Sequence, residues 1–179
     1  MHKSLEEAGA KTLLEPCGNM KHSNGMDMTD TSSRTDSKKI VELATFYIGD
    51  ALCGMDILKI QEINKLMQMT KVPQAPEYVL GILNLRGQIV TIIDLGRKLG
   101  LGETDITQDP RNIIVNSTGG HVGLLVRKIS DVVSADMDKK ESAPANMRGI
   151  QGEYFNGVYK TETNLIGILN VDKVLSIED

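Results

Sequence analysis

Tryptophan is absent from this chain, and phenylalanine occurs only twice. An interior of ordinary size must therefore be filled by Val, Ile, Leu and Met, and the nine methionines read as gap-fillers of an aromatic-poor core. Cysteine is equally scarce. Cys17 and Cys53 lie far apart and form no C-x-x-C, which excludes a disulfide framework and leaves two free thiols as the simple account. Cys53 borders an apolar run and reads as a small core residue. Of three histidines, His2 and His22 fall in a polar N-terminal stretch, and His121 sits at an expected hairpin turn, solvent-exposed. No His/Cys/Asp spacing matches a metal site, and there is neither a G-x-S-x-G elbow nor a phosphate loop. Asp136, Asp138 and Glu141 alternate with Lys139 and Lys140 and read as a solvated loop, not a calcium site. Basic excess is missing too: the formal charge of −4 argues against a nucleic-acid partner and a polybasic membrane anchor. No apolar run approaches the ~20 residues of a membrane helix, so no direct membrane insertion is expected. The N-terminus lacks the apolar segment of a secretory signal. With no catalytic constellation and no cofactor implied, function has to come from binding; the chain is not expected to be an enzyme.

What is present is a series of short apolar segments separated by turns. Residues 1–38 carry few large apolar side chains and predict a disordered tail, because such a segment cannot offset its own ordering entropy. Residues 39–179 form the expected ordered domain. Ile40 to Ile48 alternates like a strand and ends at Gly49-Asp50, and a second strand follows from Leu52 to about Ile57. Ile57 to Ile63 fits a helical turn or an extended run. Pro76 to Leu80 predicts one helical turn stopped by Gly81. Asp94 reads as the N-cap for Leu95 to Leu99, with Gly100 as the stop. Ser117-Thr118-Gly119-Gly120 joins two apolar runs in a hairpin, and Ile129 to Ser134 makes another strand. Residues 136–148 read as a long polar loop. A last hairpin turns at Thr161 to Asn164, and Val171 to Leu175 closes with a helical turn or two. Eight or nine short strands without βαβ alternation predict an all-β barrel or sandwich, with room for two small barrels sharing a core.

The most informative stretch runs from Gly81 to Leu95, two short apolar strands joined through Arg86-Gly87-Gln88. Gly87 can take the positive φ of a tight turn. Arg86 stands between apolar runs with no local acid. It is either a structural clamp or a fork held toward a partner.

That stretch, G-I-L-N-L-R-G-Q-I-V-T-I-I-D-L, resembles the core signature of the CheW-like domain family. Gly54 to Ile63 is similar to the family's G-I-D-I-x-x-V-x-E-I segment. Val122 to Val133 resembles its V-G-x-V-V-D-x-V-x-E-V segment, and Tyr154 to Leu175 its closing hairpin and turn. The likeness spans about Val41 to Leu175. It implies two intertwined five-stranded SH3-like β-barrels with short helical turns. It also implies a cytoplasmic, cofactor-free adaptor recruited to membrane-associated chemoreceptor arrays. There it would bind the cytoplasmic tip of the receptors (methyl-accepting chemotaxis proteins) and the regulatory domain of the histidine kinase CheA. The resemblance brings Arg86 near Glu62, whose carboxylate can hold a guanidinium bidentately. Glu62, Asn84, Arg86, Gly81 and Gly87 are then the expected partner-binding surface, with Ile60, Val79 and Val132 as apolar contacts for a receptor helix. Thr91, Arg127 and Asn170 depart from the family's usual proline and two aspartates and bear on surface charge. Rival readings are a CheW-like adaptor of a non-flagellar receptor–kinase system and, from another class, a small-barrel enzyme or nucleic-acid-binding domain.

Overall fold

A computed structural model describes residues 38–176. The expected tail therefore lies outside the described residues except for Lys38. The chain enters β1 (Ile40–Ile48), turns into β2 (Ala51–Asp56), makes a 3-10 turn over Ile57–Lys59 and continues as β3 (Ile60–Lys65). β4 (Val79–Leu85), β5 (Gln88–Asp94), α1 (Leu95–Lys98), β6 (Arg111–Ser117) and β7 (Gly120–Val126) follow. The remainder comprises β8 (Lys128–Asp136), β9 (Asn146–Met147), β10 (Ile150–Gln151), β11 (Phe155–Lys160), β12 (Leu165–Leu169) and α2 (Val171–Leu175). The ambiguous stretch after Asp56 is thus both things in turn: one 3-10 turn, capped by the Asp56 carboxylate on the Leu58 amide, then a strand.

The protein is all-β, with two five-stranded sheets in the orders β11-β12-β2-β1-β8 and β4-β5-β7-β6-β3. Written this way, both repeat one pattern: an antiparallel pair, a parallel pair, then two antiparallel pairs. Register agrees as well. Gly54 faces Ile168 across the parallel pair of the first sheet, and Gly123 faces Ile92 across that of the second. Each sheet's hairpin runs into a short helix whose N-cap side chain, Asp94 or Asn170, accepts a hydrogen bond from the backbone N–H three residues on. Asn170 caps as an aspartate would, because an amide oxygen accepts as a carboxylate does. The second sheet is continuous in sequence and is inserted between β2 and β8 of the first.

Neither sheet closes through a full ladder. In each, the chain leaving one edge strand reaches across to the other edge by an isolated bridge, Thr70 to Ile82 and Glu141 to Val158. Both bridges pass over a glycine. A Cβ on Gly81 would lie 2.5 Å from the Thr70 carbonyl oxygen, and one on Gly157 would lie 2.6 Å from that of Glu141. Gly81, with φ 153°, therefore does not stop a helix. The helical turn expected at Pro76 is not formed: the Val79 amide donates to the Pro76 carbonyl (2.8 Å) in a single β-turn, and β4 begins directly.

The two sheets share one core. Phe46, Met55 and Phe155 of the first pack with Ile93, Ile113 and Leu124 of the second, around the buried Leu95 of α1. Both phenylalanines are in that cluster, as an aromatic-poor composition requires. A second cluster, with Leu83, Val90 and Ile92, lies within the second sheet. The expected long loop over 136–148 contains a 3-10 turn and the first strand of the β9–β10 hairpin, anchored in the core by Met147 and Ile150.

Candidate docking surface

β4 and β5 pair with Leu85 opposite Gln88, so the connection is the two-residue loop Arg86-Gly87. Both loop residues have positive φ, 53° at Arg86 and 87° at Gly87. That combination is the one whose twist matches a hairpin, the type I′ turn. Glycine is at ease there; arginine is not. The Asn84 side chain steadies the turn, its Oδ1 accepting a hydrogen bond from the Gly87 amide at 2.7 Å. The N-x-R-G string is thus a self-contained device: an acceptor, a spacer, a displayed guanidinium and the glycine that completes the turn.

The acid for that guanidinium comes from β3. Arg86 Nη2 lies 3.1 Å from Glu62 Oε2. Strand β3 reaches this position by pairing with β6, with a bulge between Ile60 and Glu62. Because β3 and β4 are opposite edges of the sheet, the ion pair spans the gap that the ladder leaves open. The two partners differ in environment. The Arg86 side chain is 82% exposed and that of Glu62 22%. An exposed pair of this kind contributes only about 0–1 kcal/mol to stability. What it does is orient a cation that keeps most of its N–H donors in solvent. Beneath it is a recess of about 110 Å³ lined by Gln61, Leu85, Gln88, Val90, Ile114 and His121 as well as the pair.

The structure gathers Glu62, Asn84, Arg86 and Gly87 in one place. Gly81 lies on the same strand as Asn84 but against the Thr70 backbone. Ile60 and Val79 are half-buried and pack on the shared core, which limits how much of either a partner could touch. Val79 borders a different, more apolar recess of about 350 Å³, with Tyr78, Ile93, Val122, Val174 and Leu175. Val132 is 54% exposed but sits on β8 of the other sheet, paired with Ala44.

His121, expected at a turn and solvent-exposed, lies instead in β7, and Ile89 was not singled out by the sequence. His121 is half-buried, with its Nδ1 enclosed and without a hydrogen-bond partner, because β7 runs alongside β5 and sets it against Val90. It lines both recesses. Ile89, next to the turn, is 60% exposed. Alternation along β5 already puts it on the face opposite the buried Val90 and could have exposed it. Arg127, a departure in charge, pairs with Asp50 at 3.1 Å and lies over the Tyr47 ring.

A family model described as the CheW-like domain matches residues 42–179. The chain is 31% identical over 142 residues to a chemotaxis protein CheW of Treponema pallidum (strain Nichols), covering 77% of this chain and 84% of that one. It is 32% identical over 138 residues to a chemotaxis protein CheW of Klebsiella aerogenes, covering 77% and 83%. Among solved structures, the crystal structure of the scaffolding protein TtCheW from Thermoanaerobacter tengcongensis matches with a TM-score of 0.70 at 31% identity, over 76% of this chain and 88% of that one.

Proposed function

The chain belongs to the CheW-like domain family, and on that basis we propose that it couples chemoreceptors to the histidine kinase CheA as a non-catalytic adaptor. The coarser role, a scaffold of chemotaxis signalling, follows from the family and the relatives. The finer one adds the partners: the regulatory domain of CheA and the cytoplasmic tip of the receptors. On this reading the protein works in the cytoplasm and is recruited to receptor arrays at the membrane. No helix among the described residues is long and apolar enough to cross one.

The observation that carries the proposal is the Glu62–Arg86 pair on its capped turn. Glu62 occupies one side of the guanidinium and fixes its direction. The remaining donors face outward, where they can take a carboxylate or carbonyl of a partner. A planar, always-charged fork held in one orientation loses little entropy on binding. Clamp and fork are then one device, with Asn84 and Gly87 holding it and exposed Ile89 supplying adjacent apolar surface.

The test is Arg86→Asn, which removes the guanidinium while asparagine relieves the left-handed backbone. The variant is expected to fold with unchanged or slightly raised stability. Its capture of CheA, of a receptor-tip fragment, or of both, should weaken about tenfold or more, the scale of a lost charge-assisted bond. Unchanged capture of both partners overturns the assignment of Arg86. A wild-type chain that retains neither overturns the proposed function.

A further inference from the structure

The N-x-R-G device occurs twice. Asn146-Met147-Arg148-Gly149 joins β9 to β10 through a second two-residue loop, with Met147 opposite Ile150. Its geometry repeats the first turn closely. Asn146 Oδ1 accepts from the Gly149 amide at 2.8 Å, where Asn84 accepts from Gly87 at 2.7 Å. The φ angles are 51° at Arg148 and 94° at Gly149, against 53° and 87°. Only four non-glycine residues among those described have positive φ, and two of them are these arginines. Glycine or asparagine would fill either position without the strain that arginine brings.

The second turn is also held firmly. Met147 and Ile150 on its two strands are buried in the shared core. The Gly152 amide extends the hairpin by donating to the Ala145 carbonyl at 2.8 Å. A Cβ on Gly149 would lie 2.9 Å from Leu101, so the turn is seated against that side chain. One thing differs. Arg86 meets Glu62, whereas Arg148 is exposed and forms no ion pair among the described residues. It stands at the rim of a recess of about 420 Å³ where three hairpin ends converge, with Tyr47 and Asp50 from one and Asn164 and Leu165 from another. Asp50, the only acid in that lining, is taken by Arg127. Leu165 is 46% exposed beside it.

We propose that Arg148 is a second docking point, and that it takes a side-chain carboxylate of a partner peptide whose neighbouring apolar residue covers Leu165. The guanidinium has no acid among the described residues to neutralise it and so suits a carboxylate, the fork is preset by the same kind of turn that presents Arg86, and exposed Leu165 lines the same recess. The site sits on the β9–β10 hairpin, apart from the Glu62–Arg86 surface, and does not depend on the partners assigned to that surface.

Short synthetic peptides carrying one Asp or Glu flanked by leucines, each matched by its Asn or Gln isostere, form the probe. They are presented to the full chain and to its Arg148→Asn and Arg86→Asn variants. The wild type should prefer the acidic peptides about tenfold or more over the isosteres, and less so as salt is raised. Arg148→Asn should abolish the preference and leave the melting temperature unchanged or higher, since asparagine suits the left-handed backbone. Arg86→Asn should keep the preference. No preference in the wild type overturns the proposal, as does a preference that survives Arg148→Asn or is lost in Arg86→Asn. A fall in stability on Arg148→Asn assigns the arginine a structural role and overturns it too. If sedimentation shows a dimer that Arg148→Asn dissolves, the surface belongs to a second copy of the chain and the peptide reading fails.

Discussion

Arginine in a left-handed backbone costs roughly 1–2 kcal/mol, and the turn offsets part of that through the Asn84 side chain. What the strained position delivers is the reach of the side chain, and here it reaches Glu62. Gly81 illustrates the opposite case, a position defined by what cannot be there. Its φ of 153° and the Thr70 carbonyl leave no room for a methyl group. Gly81→Ala should therefore destabilise the fold by about 2–3 kcal/mol, mostly by prising Thr70 away from Ile82. Urea unfolding measures the loss, and exchange protection of the Ile82 amide, which donates to Thr70, should fall with it. A substitution that costs nothing would show that the bridge is not needed. The residue types in both cases were legible: a glycine before an apolar strand, and an arginine beside a turn glycine. The positive φ at Arg86 was not, because position alone makes Gly87 the expected left-handed residue.

Elements were legible where local chemistry dominates. Alternation marked β1, apolar runs on either side of turn residues marked β6, β7 and β12, and Asp94 marked the start of α1, where its carboxylate accepts from the Arg97 amide at 3.2 Å. The miss at Pro76 has a definite cause. Proline followed by a glycine five residues later satisfies the helix rule, but Val79 and the following residues gain more by pairing with β5. The hairpin that begins in 136–148 was missed because its strands are two residues each, too short for periodicity to register. Its repeated N-x-R-G string was the available signal. At this scale the β4–β5 turn gives a prediction. Asn84→Ala removes the acceptor for the Gly87 amide, should cost about 1 kcal/mol, and should speed exchange of that amide. Protection at Gly87 equal to the wild type would show that the side chain does not hold the turn.

For the molecule as a whole, the shared core matters most. Two sheets of the same topology contribute to one apolar cluster, so neither buries its inner face alone. Cys53 reports on that core. It is fully buried, and burial pushes its thiol up from an ordinary 9.0 to about 12. The native state therefore holds the proton more tightly than the unfolded chain. Its contribution is complete below pH 9 and is lost progressively as pH rises toward 12. In a Cys17→Ser background, the urea midpoint should fall above pH 9 by more than it does in the same chain carrying Cys53→Ala. Below that pH, a thiol reagent should label Cys53 only as fast as the core opens. Rapid labelling of the folded protein would contradict the burial.

The all-β class, most of the strands, the turn residues and the family can be read from the amino-acid order alone. Each of these rests on interactions within a few residues or on a string that can be followed in sequence. That Glu62 belongs with Arg86 was implied as well, through resemblance and not through spacing. How the two meet is a tertiary matter: β3 and β4 are opposite edges of one curled sheet, and the pair spans their gap. The same folding separates Val132 from the other expected contacts and encloses His121. These outcomes depend on the parallel pairings of β5 with β7 and β12 with β2. Such pairings join distant segments, and their register is chosen by a shared core that no local pattern encodes.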